Sequence, residues 1–160
     1  MRAVRTKMTI PPVMRDVAAM LAFVDRQEAV TPGAVGCHGY CMSGPYALVA
    51  APYPGRIAAA VSFYGTWLVS EAEESPHRSF GKVTGELYIA CAEPDALAPL
   101  PMVEELRGWF TRAGVAGEIE MYPGVHHGFA FPQRWCYDKP AAERHWERLL
   151  ALYRRRLQAR

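Results

Sequence analysis

The sequence predicts an α/β fold: a parallel sheet of about four strands flanked by helices. Three observations carry that reading. Short apolar runs alternate with longer segments whose apolar residues recur every three or four positions. The run Ala34-Val35-Gly36-Cys37 is wholly apolar, as a strand covered on both faces is. Proline- and glycine-rich stretches punctuate the joins. Strands that alternate with helices of this length pair in parallel through crossover connections.

The elements follow in order. From about Pro12 to Glu28, Val13, Val17, Met20, Leu21 and Val24 form a helical face, with Asp16 and Asp25 between them, and Thr31-Pro32-Gly33 breaks the helix. Ala34 to Cys37 is a short buried strand. Met42 to Ala51 is a helix closed by Pro52-Tyr53-Pro54-Gly55. Ile57 to Tyr64 is an apolar strand with aromatic content, Gly85 to Ala92 is another, and Glu118 to Tyr122 is a fourth. Pro101 to Ala113 sets Met102, Leu106, Trp109 and Phe110 on one face; Pro140 to Leu157 does the same with Trp146, Leu149, Leu150, Tyr153 and Leu157. Trp109 and Trp146 are accordingly expected in the core. Nothing upstream of Ala34 offers a strand to pair with the first one. The chain is therefore expected to start in the middle of a domain and to leave an apolar edge strand open to self-association.

Composition narrows the function classes. The 160 residues fit one domain, 1–160, expected to be incomplete on its N-terminal side, and 51% hydrophobic with 21% charged residues is the balance of a soluble globule. A net charge of +2 does not point to nucleic acid. The crowding of Arg154, Arg155, Arg156 and Arg160 reads as the solvated end of the last helix, cations near the negative pole of its dipole. No window reaches the roughly 18 apolar residues of a membrane helix, and the basic start Met1-Arg2-Ala3-Val4-Arg5 has no signal-type apolar core behind it. These features predict a cytoplasmic location and no membrane contact. Cys37, Cys41, Cys91 and Cys136 are read as free thiols.

The chemistry concentrates in Gly36-Cys37-His38-Gly39-Tyr40-Cys41-Met42-Ser43-Gly44. A strand that reverses into a helix within a few residues crowds its own backbone, so small residues are needed two before and two after the apex. Gly39 and Ser43 meet that need around Cys41. An apex thiol is thereby pushed out at the C-terminal edge of the sheet, where nearby amides favour its thiolate. Such a nucleophile needs a base and an acid that orients the base, brought from loops at the same edge. Glu93-Pro94-Asp95-Ala96-Leu97-Ala98-Pro99 supplies Asp95 after the third strand, and Gly124-Val125-His126-His127-Gly128-Phe129 supplies a histidine after the fourth. The order nucleophile, acid, histidine is that of α/β-hydrolases.

The segments Gly39 to Gly44, Ala92 to Pro99, Tyr122 to Ala130 and Ala142-Glu143-Arg144-His145-Trp146 resemble the dienelactone hydrolase family, in order and over almost the whole chain. The resemblance implies an α/β-hydrolase sheet and a Cys-His-Asp triad that opens an ester or lactone through a thioester, without cofactor or metal. Position by position it implies Cys41 as nucleophile, Asp95 as orienting acid and His127 as base. Met42, through its amide, Tyr40 and Phe131 are the implied oxyanion and substrate-binding positions. Phe131 stands where dienelactone hydrolases proper carry an arginine, and family members carry roughly another half-sheet before this chain begins.

Other readings of the same residues stand beside these. Cys41 is also readable as a buried structural thiol, Asp95 as a turn former, and His38 and His126 as surface histidines. Phe129, Phe131 and Trp135 are readable as pocket wall or as core. Cys37, His38, Cys41 and the His126-His127 pair form a thiol–imidazole set, although Cys-His-x-x-Cys fits no zinc knuckle. For the whole chain, the alternative to a hydrolase is a fragment of the fold kept as a binding or assembly module.

Overall fold

Four strands, β1 (Val35–Tyr40), β2 (Ile57–Phe63), β3 (Glu86–Ala92) and β4 (Ala116–Tyr122), lie side by side in that order, each neighbouring pair parallel. The computed structural model describes residues 9–53 and 55–157; the basic start at 1–5, Pro54 and Arg160 lie outside them. The helices are α1 (Ile10–Val24), α2 (Gly44–Ala50), α3 (Leu100–Ala113) and α4 (Lys139–Leu157). Two short 3-10 helices, Cys41–Ser43 and Pro76–Lys82, complete the described elements.

The sheet is buried on both faces because its strands alternate toward two separate cores. Ala59, Val61 and Phe63 of β2 join Tyr88, Ala90 and Ala92 of β3 beneath Leu149 and Leu152 of α4. Ala60 of β2 joins Leu87, Ile89 and Cys91 of β3 on the opposite face, under Leu48 of α2, Phe80, and Val103, Leu106 and Phe110 of α3. The result is a three-layer α/β/α arrangement with β1 at one edge of the sheet and β4 at the other.

Element limits differ from the sequence reading where local chemistry intervenes. α1 ends at Val24, not Glu28, and only its Leu21 is buried, with Met20 and Phe23 exposed. β1 runs on to Tyr40, so the strand delivers Cys41 directly; the chain then makes a 3-10 turn before α2 begins at Gly44. The connection from β2 to β3 holds the 3-10 segment Pro76–Lys82, which lacked a periodic signal.

α4 corrects two expectations. Its buried face is Ala141, Ala142, His145, Leu149 and Leu152, whereas Trp146 is 47% exposed and Leu150 is exposed. The stripe is one position out of phase with the expected one because His145 is a core residue. Its Nδ1 faces the Ala142 carbonyl, so Nδ1 carries the proton and donates there, which leaves Nε2 to accept from the Tyr40 hydroxyl at 3.0 Å. Arg155 and Arg156 are not simply solvated either. Both reach Glu86 at the start of β3, and Arg144 and Arg148 pair with Glu120 and Glu118 of β4. Among the described residues no helix is long and apolar enough to cross a membrane.

Two expected outcomes follow from these contacts. A Cβ at Gly39 would stand 2.1 Å from the Ser43 carbonyl oxygen. Gly39→Ala is therefore expected to lower unfolding stability by about 3 kcal/mol, measured in urea, since overpacking that must move backbone falls at the upper end of its usual cost. Burial holds the His145 imidazole below the ordinary value of 6.5, and burial depresses His77 likewise. Above that value both folded and unfolded chains are neutral at these sites. As pH falls through it, the unfolded chain takes up protons that the folded chain refuses, so stability is lost on the acid side. Thermal melts between about pH 7.5 and 5 should show that loss, and His145→Gln should reduce its slope.

Candidate active site

The four strands end at one edge, and everything relevant to chemistry leaves from it. Tyr40 is level with Phe63, Phe63 with Ala90, and Ala92 with Tyr122, so the residues that follow each strand are brought together. This is the carboxyl edge of a parallel sheet, where open α/β sheets carry their ligands.

Cys41 occupies the apex of the turn after β1 with φ of 54°, a left-handed conformation rare for a residue with a Cβ. Three contacts hold it there. The Ser43 hydroxyl accepts from the Tyr40 N–H at 2.8 Å and donates to the Tyr40 carbonyl at 2.8 Å, which closes the turn on itself. The Thr66 N–H donates to the Cys41 carbonyl at 3.3 Å, tying the apex to the loop after β2. At Gly44, an added Cβ would meet the Ser62 hydroxyl at 2.4 Å and the Gly65 Cα at 2.7 Å, so α2 leaves the turn in direct backbone contact with that loop. The spacing Gly39, Cys41, Ser43 thus reflects close packing on both sides of the thiol.

Cys41 is partly exposed, and all four cysteines are free. Burial pushes the Cys37 and Cys91 thiols up to about 12, so both stay protonated. Cys37 faces α2, where its thiol donates to the Ala47 carbonyl at 3.6 Å. Cys136 is buried and donates to the His127 carbonyl at 3.1 Å.

Asp95 and His127 meet although 32 residues separate them. Asp95 is fully buried at its carboxylate and accepts from His127 Nδ1 at 2.7 Å and from the Leu97 N–H at 2.9 Å. With its Nδ1 proton committed to a carboxylate, the imidazole offers Nε2 as its basic atom. That Nε2 is buried and has no hydrogen-bond partner in the structure. The pair is held in place by Glu93: its N–H donates to the Tyr122 carbonyl at 3.1 Å, and its carboxylate accepts from the Gly124 N–H at 2.8 Å. The acid loop is thereby pinned to the loop that carries the histidine.

The remaining residues singled out in the sequence fall in different places. Tyr40 lies beside the apex, stacked on Phe63 at 5.0 Å and tilted against Phe131 at 5.3 Å. Phe131 is exposed over Tyr40, whereas Phe129 is entirely core, so that pair divides between the two readings. Trp135, 82% exposed, is tilted against the exposed His126 at 5.1 Å, on the outside of the loop. His38 is exposed and bonds through Nδ1 to the Tyr153 hydroxyl at 3.0 Å. Among the described residues no three of His, Cys, Asp and Glu converge as a metal site. Two residues gave no functional signal in the sequence. Glu93 acts through a bond to a backbone 31 residues away, and Tyr64, next after β2, stands with its ring edge-on to His127 at 5.0 Å.

Known proteins resemble this chain in sequence and in fold. The chain is 29% identical over 160 residues to a protein of Synechocystis sp. named as a carboxymethylenebutenolidase, covering 98% of this chain and 64% of that protein. It is 28% identical over 146 residues to a protein of Bradyrhizobium sp. named as a 2-oxo-3-(5-oxofuran-2-ylidene)propanoate lactonase, covering 89% of this chain and 58% of that one. The chain therefore spans about three fifths of the length of these relatives. A crystal structure titled as a dienelactone hydrolase from Klebsiella pneumoniae superposes with a TM-score of 0.79 at 23% identity, over 86% of this chain and 58% of that one. An α/β-hydrolase enzyme from a deep-sea metagenome superposes with a TM-score of 0.69 at 15% identity, over 92% and 66% respectively. The fold is that of the α/β-hydrolases. The family model for dienelactone hydrolases matches residues 1–157, nearly the whole sequence, and on that match the chain belongs to the dienelactone hydrolase family.

Proposed function

We propose that this chain carries the reaction centre of a hydrolase that cleaves a small ester or lactone through Cys41, His127 and Asp95. The observation that carries the reading is the His127–Asp95 bond at 2.7 Å, made at the sheet edge where Cys41 is held at φ 54°. In the first half-reaction the Cys41 proton passes to His127 Nε2, and the thiolate attacks the substrate carbonyl carbon. The carbon–oxygen bond to the leaving group breaks, and the His127 proton goes to the departing oxygen. In the second, His127 takes a proton from water, the hydroxide attacks the thioester, the carbon–sulfur bond breaks, and the proton returns to sulfur. Asp95 holds the imidazole tautomer and stabilises its cation. The Met42 amide supplies an oxyanion donor, the kind of contact worth about 3 kcal/mol in a transition state. Tyr40 and Phe131 form the aromatic wall beside the thiol. The names of the two relatives support a lactone or ester as the substrate class.

Hydrolysis of short aryl esters tests this reading. Cys41→Ala is expected to remove activity by at least about a thousandfold, as loss of a covalent nucleophile does. Cys37→Ala, four residues away on the α2 side, is expected to retain it. Equal activity in both variants refutes the assignment.

A second reading rests on the β1 edge. Among the described residues β1 pairs with β2 alone, and Met20 and Phe23 of α1 are exposed. An open edge beside apolar side chains favours an assembly module that associates through β1. Sedimentation velocity across a concentration series is expected to show a concentration-dependent shift to larger species if this holds; a constant monomer excludes it.

A further inference from the structure

Tyr64 is the one residue at this sheet edge whose position is strained and whose polar atom is unused among the described residues. It follows β2 with φ of 38°, is 1% exposed, and its hydroxyl is buried with no hydrogen-bond partner. Its direction is fixed by three rings: His127 at 5.0 Å, Phe129 at 5.2 Å and Tyr40 at 5.8 Å. Cys41 packs against the same cluster. A buried hydroxyl without a partner is costly, and in native structures such a group calls for an explanation.

Among the described residues Ser62 Oγ, Thr66 Oγ1, Arg148 Nε and His127 Nε2 are likewise buried without a partner, and of these His127 Nε2 is on the ring that Tyr64 abuts. One event gives that atom and the Tyr64 hydroxyl a partner each. When Cys41 ionises, its proton moves to His127 Nε2, the sulfur keeps the electron pair, and a donor is then needed for the negative charge. We propose that the Tyr64 hydroxyl is that donor, hydrogen-bonding to the Cys41 thiolate and so setting how much thiolate the site holds. This rests on the reading of Cys41 as the nucleophile.

The surroundings agree with a donor that never gives up its own proton. The titratable and charged groups facing Tyr64 are Tyr40 and Cys41 from the elbow, and Arg134, Cys136 and His127, backed by Asp95, from the loops after β4 and β3. Burial above all, then Tyr40 and Cys41, drives the phenol well above its ordinary range, against the opposing pull of Arg134. It stays protonated throughout the neutral range. A hydrogen bond to an ion in such a dry setting is stronger than one between neutral groups.

Tyr64→Phe tests this by removing only the hydroxyl while keeping the ring against its three neighbours. Alkylation of Cys41 by iodoacetamide, followed by mass mapping of the Cys41 peptide from about pH 5 to 9, reads the thiolate population directly, and Cys41→Ala supplies the blank. The expected result is an unfolding midpoint unchanged or raised, with the apparent thiol pKa about one unit higher and alkylation about tenfold slower below it. An unchanged titration overturns the proposal. So does a lowered unfolding midpoint, because it means the hydroxyl already has a structural partner. Alkylation needs no ester turnover. A wild-type chain inert toward esters whose thiol titration still shifts in Tyr64→Phe defeats the hydrolase reading alone; an active chain whose titration does not shift defeats this inference alone.

Discussion

The constraint on which the site depends is a backbone contact: the turn after β1 closes so tightly that Gly39 lies against the Ser43 carbonyl and Gly44 against Gly65. No side chain larger than hydrogen fits at either glycine without backbone movement. Given that closure, Cys41 has nowhere to go but the left-handed region, and its side chain is turned out between the strand end and the loop after β2. The apolar cores on both faces hold the strands that make the approach possible, and α4 adds the Tyr40–His145 bond from one side.

A second constraint holds Asp95 and His127 together at the same sheet edge. Parallel strands in register deliver three loops to one edge, yet loops that long would place Asp95 and His127 only loosely. The carboxylate of Glu93 removes that slack by bonding across to the Gly124 backbone, just before the histidine. With the Asp95 carboxylate wholly dry, its bond to His127 is the sort that fixes an imidazole in one tautomer. The loops thus behave as one unit, and the imidazole is oriented by Asp95 and by the loop that Glu93 pins.

Much of this was legible in the sequence, for reasons that differ from residue to residue. Central strands such as Ile57–Phe63 and Glu86–Ala92 are apolar because both faces are covered, so composition alone reveals them. The small residues around Cys41 betray the turn because sterics leave no alternative there. What stayed hidden depends on contacts between distant segments. His145 reads as polar surface until the Ala142 carbonyl and the Tyr40 hydroxyl, 105 residues away from it, satisfy both ring nitrogens, which shifts the buried stripe of α4 off Trp146. Arg155 and Arg156 look solvated until Glu86 is found beneath them. Tyr64 looks like the end of a strand, and only its ring neighbours and its unpaired hydroxyl set it apart.

The left-handed backbone at Cys41 has one more implication. For a residue with a Cβ that conformation costs about 1–2 kcal/mol, and glycine would adopt it freely. At this position the demands of folding and of chemistry pull toward different residues. The strain lies in the Cβ and not in the sulfur, so glycine would relieve it where alanine would not, and a screen for thermal stability alone would favour glycine at the apex over any residue that carries a side chain.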